Sequence, residues 1–549
     1  MRLYKTGLQV TSVTYCLSRS YLSLQAQSSS MLRSIPEHPL PLRKTRPITS
    51  PIFINSTHIR STTSQIQHRS SHSVSFRQTT SQAKKTAARA MAMATATQVH
   101  LTSADKGVYH LNPRDDAAKE ASRVLQEDLE THHIYFNDSG FHNHIVHHIL
   151  SIYALGASPE EIKAAFKHNI DYQRPSRPVD EATVQKLSDK EHFKRLSGLR
   201  SQYPNFLVFF QREIEAKGVG AVLNEYLFKG DEYADSMYTR LFGGLIHPFI
   251  HLGFGIEFNQ PAIIAQGLAQ TATHDLKYGT FLLAAEKKAG GVGQQGGTKS
   301  LVQLLREIRE DEKLSKAAHW EDENKFFDGV MTRAPEEMVG YASQFKVAPE
   351  QIDEKMAELV NAVGKRRSRG ENATNTKPPR FYEVYYTTAA QNPQKQIKFD
   401  FFYIHSLNSS IFLPAYLSQP WLDTRNKCRL LEWKGRIDLF MYASRSCAEP
   451  RMQDIINYKP TRESWEEISA EVRRNERDDG HAAKFVRALA FGEGVSKPYE
   501  GKGGFLITKD MWITLGNMVI DSIHDPGRMW IRSTGFDEAW TDVADRPSA

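Results

Sequence analysis

Cysteine is almost absent from this chain: Cys16, Cys428 and Cys447 are the only three in 549 residues. A disulfide framework is thereby excluded, as is a thiolate metal site with its usual close spacing, and such sparse use fits a reducing compartment. The Asn-x-Ser/Thr triplets at Asn372 and Asn408 therefore carry no implication of glycosylation. Long apolar runs are missing too. The best candidate, 241–258, is interrupted by His247, His251 and Glu257, and it falls short of the roughly 18 uninterrupted apolar residues that a membrane helix needs. Acidic residues are nearly missing from the first hundred positions, where Glu37 alone stands against thirteen Lys and Arg before Asp105. That stretch carries +12 of a formal total of +7, which leaves −5 for the remainder. A mildly acidic body offers no electrostatic footprint for a phosphate backbone, so neither nucleic acid nor membrane is expected as a partner.

Residues 1–97, rich in Ser, Thr, Gln and Arg, have the composition of a disordered basic extension or an organelle-targeting segment. A genuine presequence would direct the chain to mitochondria; without one, the cysteine usage fits the cytoplasm. From residue 98 to 549 the pattern is that of a mainly α body, one large helical domain with room for two lobes. Helical periodicity covers 118–130, 144–155, 261–285, 301–316, 349–363 and 464–474. Short aromatic runs at 381–386 and 399–403 read as extended, with no strand–helix alternation after them. The glycine run 290–297 and the basic stretch 366–379 read as surface loops.

Gly291-x-Gly293-x-x-Gly296 matches a dinucleotide fingerprint as a string. The fingerprint needs a strand before it, and residues 283–289 are rich in Ala, Glu and Lys and read as a helix. A Walker motif fails as well, since Gly297 stands where lysine is required. No Rossmann domain is visible.

Histidine is where the sequence is informative. His144, His147 and His148 follow the capping stretch 137–140 and fall on one helix face beside an apolar stripe of Ile145, Ile149 and Ile152. Pro248 suits a first helical turn, with His247 at the cap and His251 one turn later. His405 interrupts the apolar aromatic run 402–407, next to Ser406 and Asn408. The aspartates 478–479 cap a helix that sets His481 and Lys484 on one side, with Phe485 and Leu489 toward the core. Any one of these histidines is explained as a hydrogen-bonded core residue. Four separate segments offering imidazole without cysteine also suit a centre of Zn, Cu, Fe or Ni, among which residue type does not choose. Lys484 near a metal would have to be neutral, paired with a carboxylate, or carry an acquired carboxylate, because an ammonium has no lone pair.

Five stretches together resemble the questin oxidase-like family: 141–157 (FHNHIVHHILSIYALGA), 245–258 (LIHPFIHLGFGIEF), 400–414 (DFFYIHSLNSSIFLP), 431–445 (LEWKGRIDLFMYASR) and 478–489 (DDGHAAKFVRAL). The resemblance spans nearly the whole body, in order, and fails only in the N-terminal tail. It implies fungal oxidoreductases that open the quinone ring of anthraquinones and xanthone precursors in Baeyer–Villiger-type steps, with molecular oxygen and with NADPH as co-substrate. It also implies no flavin fold, and a non-haem iron would supply the oxygen chemistry. On this resemblance the metal set is His144, His247, His405, His481 and Lys484, with His251 and His148 in reserve. His144 is chosen from its cluster because the Asn143-His144 pair is the part most like the family pattern. Lys484, His405 and Ser406 are the expected catalytic residues, and a flat aromatic polyketide is the expected substrate. Two other classes stay open at this point: a metal-dependent hydrolase, and a non-catalytic helical interaction protein.

Overall fold

Apolar residues at helical spacing, punctuated by good caps, make the described residues mainly helical, with almost no strand. The structure, a computed structural model, describes residues 93–293, 299–361, 385–388, 390–500, 505 and 507–546. The readings made above for residues 1–92, 294–297, 362–363, 366–379 and 381–384 lie outside these, while Tyr385 and Tyr386, expected as extended, open a short helix, Tyr385–Thr388. Ten helices are used below: α1 (Asp115–Thr131), α2 (Ile145–Ala154), α3 (Pro159–Ile170), α4 (Tyr203–Lys217), α5 (Gly243–Glu257), α6 (Pro261–Thr273), α7 (Tyr403–Ser410), α8 (Thr424–Ser444), α9 (His481–Ser496) and α10 (Met511–His524).

Local chemistry explains their starts. α3 opens with a capping box in which Ser158 and Glu161 satisfy each other's backbone amides, and Pro159 occupies its first turn. α1 carries Asp115 and Asp116 in its first turn and buries Ala117, Ala121, Val124 and Leu125 along one stripe. The body of the chain from residue 77 on forms one unit.

The centre is a ring of four helices. α2 packs on α5, α5 on α7, α7 on α9, and α9 back on α2. α6 backs α5 and α4 packs on α6, while α8 backs α7 and α10 backs α9. α9 is further tied to α5 by a buried ion pair between Arg487 and Glu257, whose carboxylate also accepts the Val108 amide. Two two-residue strands, β1 (Phe399–Asp400) and β2 (Trp530–Ile531), pair in parallel with Phe399 opposite Trp530. Asp400 continues this tie by accepting the Thr534 amide with one oxygen and the Phe402 amide with the other.

Several sequence expectations change in detail. The expected helix 261–285 is two helices, because the chain turns extended at His274 before Gly279–Lys288 begins. The expected helix 301–316 stops at Glu310, and Asp311 caps a separate turn, Glu312–Ser315. The stretch 137–140 does not cap α2. It forms its own turn, with the Phe141 amide on Asn137 Oδ1, and α2 starts only at Ile145, whose amide donates to Asn143 Oδ1. No described helix is long and apolar enough to cross a membrane.

The glycine-rich loop is docked by its backbone. It follows a helix, as the sequence implied, and the Gly293 amide donates to Glu432 Oε1 at 3.4 Å.

Candidate metal centre

Each helix of the central ring brings one histidine inward. His144 stands at the N-terminal boundary of α2, His247 on α5, His405 on α7 and His481 at the first position of α9. All four are buried. His144 Nε2 lies 2.9 Å from His247 Nε2, and His481 Nε2 lies 3.2 Å from His405 Nε2. One ring nitrogen from each of His144, His247 and His481 lies within 4.8 Å of the others. The His247 and His405 rings are centred 4.9 Å apart, which joins the two pairs.

For His247 and His405 the far side of the ring fixes the tautomer. His247 Nδ1 faces the Gly244 carbonyl at 2.6 Å, and His405 Nδ1 faces the Phe401 carbonyl at 2.6 Å. A carbonyl only accepts, so both Nδ1 atoms carry the proton and both Nε2 atoms present a bare lone pair. His481 Nδ1 is 2.5 Å from Asp479 Oδ1 and is protonated for the same reason. His405 thus presents a bare Nε2 to the Nε2 of His481. Burial, with the neighbouring His481 and Lys484 adding to it, pushes the proton affinity of His405 well down. Burial does the same to His144 and His247, with neighbouring histidines adding to it.

Converging imidazole lone pairs of this kind fit a cation. At metal–nitrogen bonds near 2.1 Å, two ligands at right angles would be about 3.0 Å apart, which the observed spacings match. The donor set is nitrogen without sulfur, as an imidazole-preferring transition metal wants.

Unusual backbone delivers two of these rings. Gly244, Leu245 and Ile246 all have positive φ, at 51°, 57° and 65°, so the chain turns left-handed for three residues before His247. This is costly for a β-branched residue, and it brings the Gly244 carbonyl back onto the His247 ring. An added Cβ at Gly244 would stand 2.4 Å from His274 Cε1 and 2.8 Å from His142 Cε1. At the other end, Gly480 has φ +101° and lies against the His148 backbone, so the turn before α9 sits directly on α2.

The remaining expected residues are placed as follows. Lys484 Nζ lies 3.2 Å from His147 Nδ1, and burial pushes the ammonium down to about 8 against the pull of Asp479 and Asp478. It is within electrostatic reach of His144, His247 and His405. Ser406 is buried, with its hydroxyl acting on the Asp438 carboxyl of α8. Asn408 donates to the His481 carbonyl at 3.3 Å. The reserves look elsewhere: His148 Nδ1 accepts from Asn169 at 2.9 Å, and His251 Nε2 lies 3.4 Å from Gln266 Oε1.

Four neighbours were not picked out from sequence. His142 stacks on His247 at 4.1 Å with rings 11° from parallel, and its Nε2 meets His274 Nε2 at 2.8 Å. Its place in the 141–148 cluster was a signal, but the extended His274 was masked by the continuous helical pattern. Asp479 was read only as a cap. Phe401 packs edge-on against His405 and tilted against His481, with centroids 5.0 Å away in each case, and covers both rings on that side.

The sequence pattern of the questin oxidase-like family matches residues 141–489, a span that contains all four convergent histidines. The chain belongs to the questin oxidase-like family. It is 40% identical over 465 residues to the Baeyer-Villiger oxidase ptaJ of Pestalotiopsis fici, covering 82% of this chain and 99% of that protein. A questin oxidase of Aspergillus terreus is 38% identical over 461 residues, covering 82% and 98%. The Baeyer-Villiger monooxygenase dmxR6 of a Cryptosporiopsis species is 36% identical over 441 residues, covering 78% and 94%. These relatives are oxidases and a monooxygenase, and this questin oxidase-like chain is an oxidoreductase.

Proposed function

We propose that this protein is an oxygenase that opens the quinone ring of an anthraquinone or related flat aromatic polyketide, in a Baeyer–Villiger-type oxidation of fungal secondary metabolism. Its centre is a non-haem iron held by His144, His247, His405 and His481, and NADPH is the co-substrate. The observation that carries this is the convergence of buried ring nitrogens from four helices, with His405 Nε2 3.2 Å from His481 Nε2 and His144 Nε2 2.9 Å from His247 Nε2. Family membership supplies the reaction class: relatives are named as questin oxidases and Baeyer-Villiger oxidases.

Iron bound there would supply the activation of molecular oxygen that no side chain can provide. The chain does the rest. Phe401 and the buried ring of helices exclude water from the reacting atoms. Lys484, lowered to about 8 and hydrogen-bonded to His147, takes the proton of a phenolic hydroxyl or carries a carboxylate toward the metal. Ser406, one residue from His405, orients a substrate oxygen. Asn408 holds the His481 carbonyl and so the start of α9.

Metal analysis of protein purified without a His-tag tests this reading. Iron near one per chain, with oxygen uptake on an anthraquinone substrate, is expected. His144→Ala, His247→Ala, His405→Ala and His481→Ala should each lower metal content while helix content stays near wild type. His148→Ala and His251→Ala should keep the metal and cost roughly 1–3 kcal/mol of stability, because each leaves a buried partner unpaired. Lys484→Met should abolish turnover, and restoration of a Lys484→Ala protein by added short carboxylates would identify a carboxylated lysine. Bound zinc without oxygen uptake would point to a hydrolase, and absence of any metal to a non-catalytic role; either overturns the proposal.

A further inference from the structure

The four histidines are not oriented alike. His247 and His405 take their Nδ1 partners from backbone carbonyls of their own segments. His481 instead uses Asp479 Oδ1 at 2.5 Å, and Asp479 Oδ2 stands 3.4 Å from His144 Nδ1. His144 Nδ1 is buried and has no hydrogen-bond partner among the described residues, so this oxygen is the acceptor offered to it. The neighbouring Asp478 does something else: its oxygens accept the Ala482 and Ala483 amides at 2.9 and 3.0 Å and cap α9.

We infer that Asp479 is a positioning residue whose single carboxylate orients two imidazoles from different helices, His144 and His481, so that both present Nε2 to the same ion. The inference rests on the metal reading above and adds a residue to it. Asp479 sits behind the rings, on the nitrogen opposite the converging Nε2 atoms, so it is no ligand of that ion itself. An ionised carboxylate is acceptor-only, and accepting from both Nδ1–H groups leaves both Nε2 atoms bare. An amide cannot do this. In an asparagine the oxygen accepts from one ring while the NH₂ donates to the other, which forces that ring's proton onto Nε2. The Asp479 side chain is also 36% exposed, while those of His144 and His481 are 8% and 2% exposed. The carboxylate that sets the ligands therefore reaches solvent while the rings it holds do not.

Cobalt(II) binding to apoprotein gives a readout independent of turnover. In Asp479→Asn, the cobalt Kd should weaken roughly 10- to 100-fold and the visible absorption should shift as one imidazole is withdrawn. Asp479→Glu, which keeps the charge and both acceptors, should restore most of the affinity. Asp478→Asn should lower the unfolding temperature with the cobalt spectrum unchanged. Wild-type affinity and spectrum in Asp479→Asn would overturn the inference and leave the metal reading standing, as would a spectrum moved equally by Asp478→Asn. A wild-type protein that binds no cobalt or iron would overturn both. If Asp479→Asn does not fold, Asp479→Ala decides: a weakened cobalt Kd with a shifted spectrum is expected, and wild-type values overturn the inference.

Discussion

A Cβ on residue 480 would stand 2.7 Å from the Cα of His148, so Gly480 and His148 fix the closest approach of the turn before α9 to α2. His144 belongs to one of these elements and His481 to the other. Gly480→Ala must therefore separate two ligands as well as strain a backbone at φ +101°. We expect a loss of roughly 2–4 kcal/mol from overpacking and the left-handed conformation together, with metal content falling alongside. Gly494→Ala, on the same helix with nothing within 4 Å of the added carbon, should be neutral or stabilising by up to ~1 kcal/mol. Chemical denaturation and metal analysis of the two variants check the contrast.

The Arg487–Glu257 pair holds α9 to α5, and both side chains are about 1% exposed. Glu257→Gln should destabilise the protein by about 3–5 kcal/mol, since it strands a buried guanidinium. Replacing both, as Glu257→Leu with Arg487→Met, should recover much of that loss. Urea midpoints of the single and double variants measure it.

Acid should unfold the metal-free protein early. Burial lowers His133, His251 and His274 to about 4 and pushes His142, His144, His147, His247 and His405 well below 6.5. These groups are neutral in the fold and take up protons on unfolding, so their contribution is complete above pH 6.5 and is lost as pH falls from there toward 4. Each adds a slope of up to ~1.4 kcal/mol per pH unit across that window. Urea midpoints in chelator at pH 7.5 and 5.5 should differ strongly; equal midpoints would refute the assignment of neutral buried imidazoles.

Gly291→Ala and Gly293→Ala should leave the KM for NADPH unchanged. Both glycines have positive φ with open space around them, so each substitution should cost only about 1–2 kcal/mol of backbone strain. A selective rise in that KM would restore a nucleotide role to the loop.

Helix content and the four histidine segments were legible because both rest on local pattern: apolar spacing for the first, imidazole in apolar settings for the second. What could not be read was orientation. Nothing in Leu245 or Ile246 signals a left-handed turn, which both residue types disfavour and only the packed surroundings impose. Asp478 and Asp479 are the same residue type side by side, yet one caps a helix and the other holds two rings from different helices. That division depends on Gly480 turning the chain between them and His481. His274 was hidden for the opposite reason, since a helical pattern runs straight through the residue where the chain becomes extended.

The pairing of β1 with β2 has a consequence for biosynthesis. The Phe401 amide donates to Ile531 and Asp400 accepts from Thr534, so the carbonyl that orients His405 is anchored by chain made some 130 residues later. While that later stretch is still inside the ribosome, a nascent chain can build three of the four histidine corners but cannot lock the last. Closing of the histidine cluster thus waits on completion of translation, and a chain stalled before residue 530 would emerge folded in part with His405 unanchored.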